Sequence, residues 1–219
     1  LFPLRDSTPS RSFPVITVAI IIINLLIFIL ELAAGPQLIT EFVYVFGLVP
    51  AYINENTSLT GYYPLLTSMF LHGGWMHLVG NMWILWLFGD NVEDHMGSAR
   101  YLLFYLICGV AAGLSHFAIN PLSDIPVVGA SGAVAGVMGA YFLMFKHAKI
   151  LTFIPPIFLL NLPAWIYLGF WGLSQLYCGT ADIISANTCG SIAFWAHIGG
   201  FAAGMVLYRL FLRDEPGSV

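Results

Sequence analysis

Charge is what this sequence has least of. Asp, Glu, Lys and Arg make up 8% of its 219 residues, where a soluble globular domain carries about 25%. Hydrophobic residues make up 59%. A water-soluble chain of this length has no way to hide so much apolar surface, so lipid must be much of its solvent. The seven basic residues occur at most in isolated pairs. With no basic run, nucleic-acid partners are set aside. Carboxylates are absent from the interior of the apolar runs, apart from Glu31 near the end of the first, which argues against a proton path. No His-Glu-x-x-His zinc motif occurs, and no metal or organic cofactor is implied. There are three cysteines. Cys108 falls inside an apolar run and reads as an inert core residue. Cys178 and Cys189 share one loop, and their pairing is left open.

What the sequence does have is apolar runs at the ~20-residue length that crosses a bilayer. Six are expected, at 13–32, 70–88, 101–119, 129–145, 150–176 and 192–212. The fold class is therefore an all-α, polytopic bundle of six transmembrane helices. No small-residue cleavage site follows the first run before Glu31, so it reads as a retained anchor. In a six-span arrangement all seven Lys and Arg fall on one side: Arg5, Arg11, Arg100, Lys146, Lys149, Arg209 and Arg213. The opposite loops, at 33–69, 120–128 and 177–191, hold none. That asymmetry places both termini in the cytoplasm. The expected organisation is a cytoplasmic tail over 1–12, a membrane domain over 13–212 with a long outer loop at 33–69, and a second tail over 213–219. Asn56-Thr57-Ser58 has the form of a glycosylation sequon.

Polar residues inside a membrane usually face a cavity or the bundle interior. Counted at 1.5 Å per residue from the charge anchoring each helix, Ser131 lies about 22 Å above Lys146. His77 lies about 20 Å above Asp90, and His197 about 18 Å above Arg209. Three polar residues on three helices thus share one depth. Gly132, Gly136 and Ala140 recur at intervals of four, and Gly200 and Gly204 form a matching pair. Such stripes let membrane helices approach closely. Brought together, they would set Ser131 beside His197, and a serine nucleophile needs a neighbouring imidazole to take its proton. Ser131 also begins its helix, where free N–H groups can hold an oxyanion. The plainer alternatives are a packing stripe and an N-cap serine.

Three segments carry a family likeness: His72-Gly73-Gly74-Trp75-Met76-His77-Leu78-Val79-Gly80-Asn81, Gly129-Ala130-Ser131-Gly132 and Ala196-His197-Ile198-Gly199-Gly200. Together they resemble the rhomboid intramembrane serine proteases over nearly the whole chain. The resemblance implies Ser131 as nucleophile and His197 as general base, a dyad without a third carboxylate. It implies an oxyanion hole of His77, Asn81 and the Ser131 N–H. His72 matches the motif but is expected to point elsewhere, as a structural hydrogen-bonder near the surface. Two features depart from the family pattern. Ala135 stands where many members place an aromatic residue against the catalytic histidine, and the first loop lacks a Trp-Arg pair.

The activity implied is cleavage of transmembrane segments of membrane-protein substrates, inside the bilayer, in a water-filled cavity open to the exterior. The fifth run, interrupted by Pro155, Pro156 and Pro163, is expected to be a kinked helix acting as a gate. A prokaryotic plasma membrane is the expected location. The rival readings are an inactive rhomboid-like binder of membrane-protein clients and a small transporter. The oligomeric state is not legible.

Overall fold

A computed structural model describes residues 1–55, 58–185, 189–190 and 192–213. Most of them are helical. Helix α1 is Val15–Ala34; α2 (Pro36–Phe46), α3 (Pro50–Glu55) and α4 (Pro64–Thr67) lie in the long first connection. Then follow α5 (Trp75–Met96), α6 (Ser98–Ile119), α7 (Ser131–Met144), α8 (Ala164–Ile184) and α9 (Phe194–Phe211). By length and composition, two of these are able to cross a membrane unaided, α1 and α6. The outer faces of α8 and α9 are nevertheless apolar. Leu173 on α8 is 66% exposed, and Val206 and Leu210 on α9 are 75% and 76% exposed. Such a surface is one that lipid solvates better than water.

Helix α7 is the centre of the bundle, buried from Gly132 to Tyr141. Its small side chains are the reason. A Cβ on Gly136 would strike Cys108 of α6, one on Gly200 would run into the Gly132 carbonyl oxygen, and one on Gly204 into that of Gly136. Backbones this close are possible only without side chains. The two glycine stripes therefore face each other, and α7 is clamped between α6 and α9.

Charged residues gather at one end of the bundle and tie helix termini together. Glu93 of α5 accepts hydrogen bonds from the Ile16 amide at 2.9 Å, the Thr17 amide at 2.8 Å and the Ser98 hydroxyl at 2.7 Å. Helix α1 has no cap of its own, so a carboxylate from α5 satisfies two of its free N–H groups. The adjacent Asp94 accepts from the Ser12 hydroxyl and the Arg11 amide. Arg100 donates to the Leu212 carbonyl, and the Arg213 amide donates to the His95 carbonyl at 3.0 Å.

The bundle is not purely helical. Strands β1 (Phe2–Asp6), β2 (Lys149–Ile154) and β3 (Phe158–Pro163) form one antiparallel sheet in the order β1-β2-β3. Residues 1–12, expected as a tail, thus supply a strand. Its Pro3 carbonyl accepts from the Trp83 indole at 2.7 Å, and Asp6 accepts from the Tyr141 hydroxyl at 2.5 Å. The fifth helix, expected over 150–176, begins only at Ala164. Two short apolar runs flank Pro155-Pro156, and this is the pattern of a hairpin rather than a helix. Pro163 stands immediately before α8, where its lack of an N–H costs nothing. The prolines therefore kink no helix, and the kinked gate falls away.

Helix α2 has no buried residue and lies on the outside. Cys178 and Cys189 are joined, with Cα atoms 5.6 Å apart, and tie α8 to the segment before α9. Cys108 is buried and free. Asn56 and Thr57 of the sequon, and residues 214–219 of the expected second tail, lie outside the described residues.

Candidate active site

The three residues placed at one depth by counting lie in the first turns of their helices, at the same end. Ser131 opens α7, His77 is the third residue of α5 and His197 the fourth of α9. The Gly200–Gly132 contact lies one turn below His197 and fixes the spacing of the two helices there. Ser131 Oγ sits 2.8 Å from His197 Nε2, a normal hydrogen-bond length. A serine hydroxyl can donate to Nε2 only if that nitrogen is unprotonated, so in the neutral ring the proton resides on Nδ1.

Nδ1 has its own partner, the Gln175 Oε1 at 2.7 Å. The amide orientation follows from its other neighbours. The Ser174 hydroxyl donates to the Trp171 carbonyl at 2.6 Å, leaving its oxygen to accept from Gln175 Nε2 at 3.2 Å. The carbonyl end of Gln175 therefore faces His197. Four residues earlier on the same face of α8, the Trp171 ring lies tilted over the imidazole, with centroids 6.0 Å apart. Phe201 supports the indole at 5.6 Å. The aromatic contact missing at the buried Ala135 is thus supplied by a different helix.

Across the cavity, Gly129 shapes the approach to Ser131. Its φ is +123°, and a Cβ there would meet the His77 ring at 2.6 Å and Asn81 Nδ2 at 3.6 Å. Both conditions demand glycine. They also show that His77 and Asn81, one turn apart on α5, both reach the turn that delivers Ser131. His72 does not point elsewhere, and this corrects the expectation for it. It is buried, its Nε2 lies 3.1 Å from Asn81 Nδ2, and its ring meets the edge of His77 at 5.1 Å. A spacing of five separates two side chains only on one helix, and α5 begins only at Trp75, so His72 is free to turn back towards His77.

Ser131, His197, His77, Asn81 and Trp171 line one cavity of about 880 Å³. It is large enough for an extended peptide segment and water. Trp171 and Gln175 are not among the residues expected from the sequence, because the expected fifth run begins about fourteen residues before α8 does. The signal that could have found them is Pro163, a preferred residue at a helix start.

Residues 59–214 match the model of the Rhomboid domain. The chain is 33% identical over 200 residues to "Rhomboid-like protein 11, chloroplastic" of Arabidopsis thaliana, covering 90% of this chain and 68% of that protein. It is 31% identical over 165 residues to "Rhomboid protein 1, mitochondrial" of Saccharomyces cerevisiae, covering 74% and 43%. To "Rhomboid protease GluP" of Bacillus subtilis it is 36% identical over 127 residues, covering 58% and 24%. The chain thus spans less than half the length of the yeast and Bacillus relatives. The expected prokaryotic plasma membrane, with cytoplasmic termini and a site opening to the exterior, does not stand. Relatives named for the mitochondrion and the chloroplast share this core, and a compact membrane core carries no address of its own.

Proposed function

The chain belongs to the rhomboid family, and from that premise we propose that it is an intramembrane serine endopeptidase of an organelle membrane. It cleaves transmembrane segments of membrane-protein substrates. The observation that supports this reading is the 2.8 Å contact between Ser131 Oγ and His197 Nε2 at the wall of a large cavity. Helices α1, α5, α6, α7, α8 and α9 are read as six spans of one membrane domain. The basic-rich end lies at one membrane face, and the cavity opens towards the other.

A substrate helix must unwind before its backbone can be attacked, because its carbonyls are already bonded and covered. Segments with Gly, Pro or other weak helix formers are therefore preferred. Ser131 Oγ attacks the scissile carbonyl carbon while His197 Nε2 takes the hydroxyl proton. The negative charge on the carbonyl oxygen is held by the Ser131 N–H and by N–H groups of His77 and Asn81. Because His72 accepts one N–H of Asn81, that amide is held with its second hydrogen free. As the C–N bond breaks, His197 returns the proton to the leaving amine. Water then enters the cavity and attacks the Ser131 ester as His197 takes its proton, and His197 returns that proton to Ser131 Oγ as the new carboxyl product leaves. Removing one oxyanion donor typically costs about 10²- to 10³-fold in rate.

The test is labelling of the purified, detergent-solubilised protein with a fluorophosphonate. Labelling of the wild type that is lost in Ser131→Ala and His197→Ala is the expected result. A folded wild type silent to serine-reactive probes refutes an activated nucleophile and leaves the client-binding reading.

A further inference from the structure

We propose that Gln175 is the third member of a Ser-His-Gln array, a positioning residue on α8 that accepts a hydrogen bond from the His197 Nδ1–H. The inference rests on the protease reading and adds to it a component that no motif supplies. A dyad leaves the imidazole free in two respects: the ring can swing about its side-chain bonds, and its proton can sit on either nitrogen. Only the Nδ1–H form can receive the Ser131 proton, so a fixed acceptor at Nδ1 removes the unproductive form. The Oε1 of Gln175 lies 2.7 Å from Nδ1, and the chain from its Nε2 through Ser174 to the Trp171 carbonyl holds the amide so that oxygen, not NH₂, faces the ring. Trp171 on the same helix face covers the imidazole. Orientation and tautomer are thus both set from α8.

An uncharged acceptor suits the location. A carboxylate here would be an ionised group inside the membrane, costly unless paired. An amide oxygen offers the same lone pair without that penalty. It holds the neutral ring well but stabilises the imidazolium less than a carboxylate does. The Nδ1 proton stays on His197 throughout. The proton that moves passes from Ser131 Oγ to Nε2 and on to the leaving amine. His77, His116 and Asp182 share the cavity with His197, so a pH profile must be compared between variants rather than read absolutely.

The experiment compares wild type, Gln175→Met and Gln175→Glu in cleavage of one single-span substrate in detergent. Met matches the length of Gln but accepts no strong hydrogen bond. Gln175→Met is expected to lower kcat about 10- to 100-fold, less than the roughly 10²- to 10⁴-fold that a general base contributes in full, with KM unchanged. Gln175→Glu is expected to keep most of the activity and to move the acidic limb of the pH–rate profile to higher pH, because a carboxylate favours the protonated ring. Equal kcat and coincident pH profiles in all three chains overturn the positioning role while the protease reading stands. If the wild type shows no Ser131-dependent turnover, the protease reading fails instead. A second measurement decides the proposal without any activity, namely the imidazole ¹⁵N spectrum of the wild type, assigned with His197→Gln. A protonated Nδ1 whose signal shifts in Gln175→Met supports the contact, and a proton on Nε2 alone overturns it.

Discussion

Replacing Gly200 by Ala adds one methyl group at the point where two helix backbones touch. That methyl would run into the Gly132 carbonyl oxygen and also press on Ala112 Cβ at 3.4 Å. A carbonyl in the middle of a helix cannot swing aside like a side chain, so α9 must move from α7 by something on the order of 1 Å. Ser131 and His197 sit directly above: Ser131 is adjacent to Gly132, and His197 is one turn from Gly200. Their 2.8 Å separation would pass the length at which a hydrogen bond persists. A misplacement of this size costs about 10²-fold in rate. The fluorophosphonate labelling rate of Gly200→Ala should therefore fall by about two orders of magnitude, while thermal unfolding in detergent still shows a folded protein. Gly169→Ala is the control, because its added methyl meets only the Phe142 ring at an ordinary 3.8 Å. Labelling of Gly200→Ala at the wild-type rate would refute the argument that backbone contact between α7 and α9 sets the site.

Three further outcomes are expected. Gly129→Ala should abolish labelling, since φ of +123° and the His77 ring both exclude a Cβ; full activity would mean that this turn is not held as described. Glu93→Ala strands two amides of α1 and the Ser98 hydroxyl. At about 1.5–3 kcal/mol for each bond to a charged group, partly recovered by water, it should destabilise by ~3–5 kcal/mol, seen as early exposure of the buried Cys108 thiol on heating. Asp6, in the strand before the first helix, has its carboxyl raised above the usual aspartate range by burial, against the lowering effect of the Tyr141 hydroxyl. A raised carboxyl adds stability while protonated and loses that contribution as pH rises through its folded value. The melting temperature should therefore fall across the mildly acidic range in the wild type, and this dependence should flatten in Asp6→Asn.

The parts of the site that were legible in the sequence are those fixed by one helix each. Ser131, His77 and His197 could be placed by counting from charged anchors, because α5 and α9 run unbroken from those anchors to the cavity and α7 ends only two residues short of its own. The glycine stripes were legible for the same reason, as a period of four on a continuous helix. Gln175 and Trp171 were not, because their helix has no charge near its start and that start is hidden in an apolar stretch. Ile150–Ile154 and Phe158–Leu162 are as hydrophobic as a span, and only Pro155-Pro156 and Pro163 mark them as strands. The β1–β2 pairing was illegible because it joins positions nearly 150 residues apart, and five residues at the start of a chain carry little pattern. The position of His72 is not legible from helix geometry because it precedes the start of α5.

The activity proposed for this fold is peptide-bond cleavage by Ser131. It is tested most directly by reconstituting the protein in liposomes with a single-span substrate that carries a Gly-rich segment, and weighing the products by mass spectrometry. Two fragments whose junction lies within the membrane segment are expected from the wild type and not from Ser131→Ala. An intact substrate, or fragments that Ser131→Ala produces equally well, would contradict it.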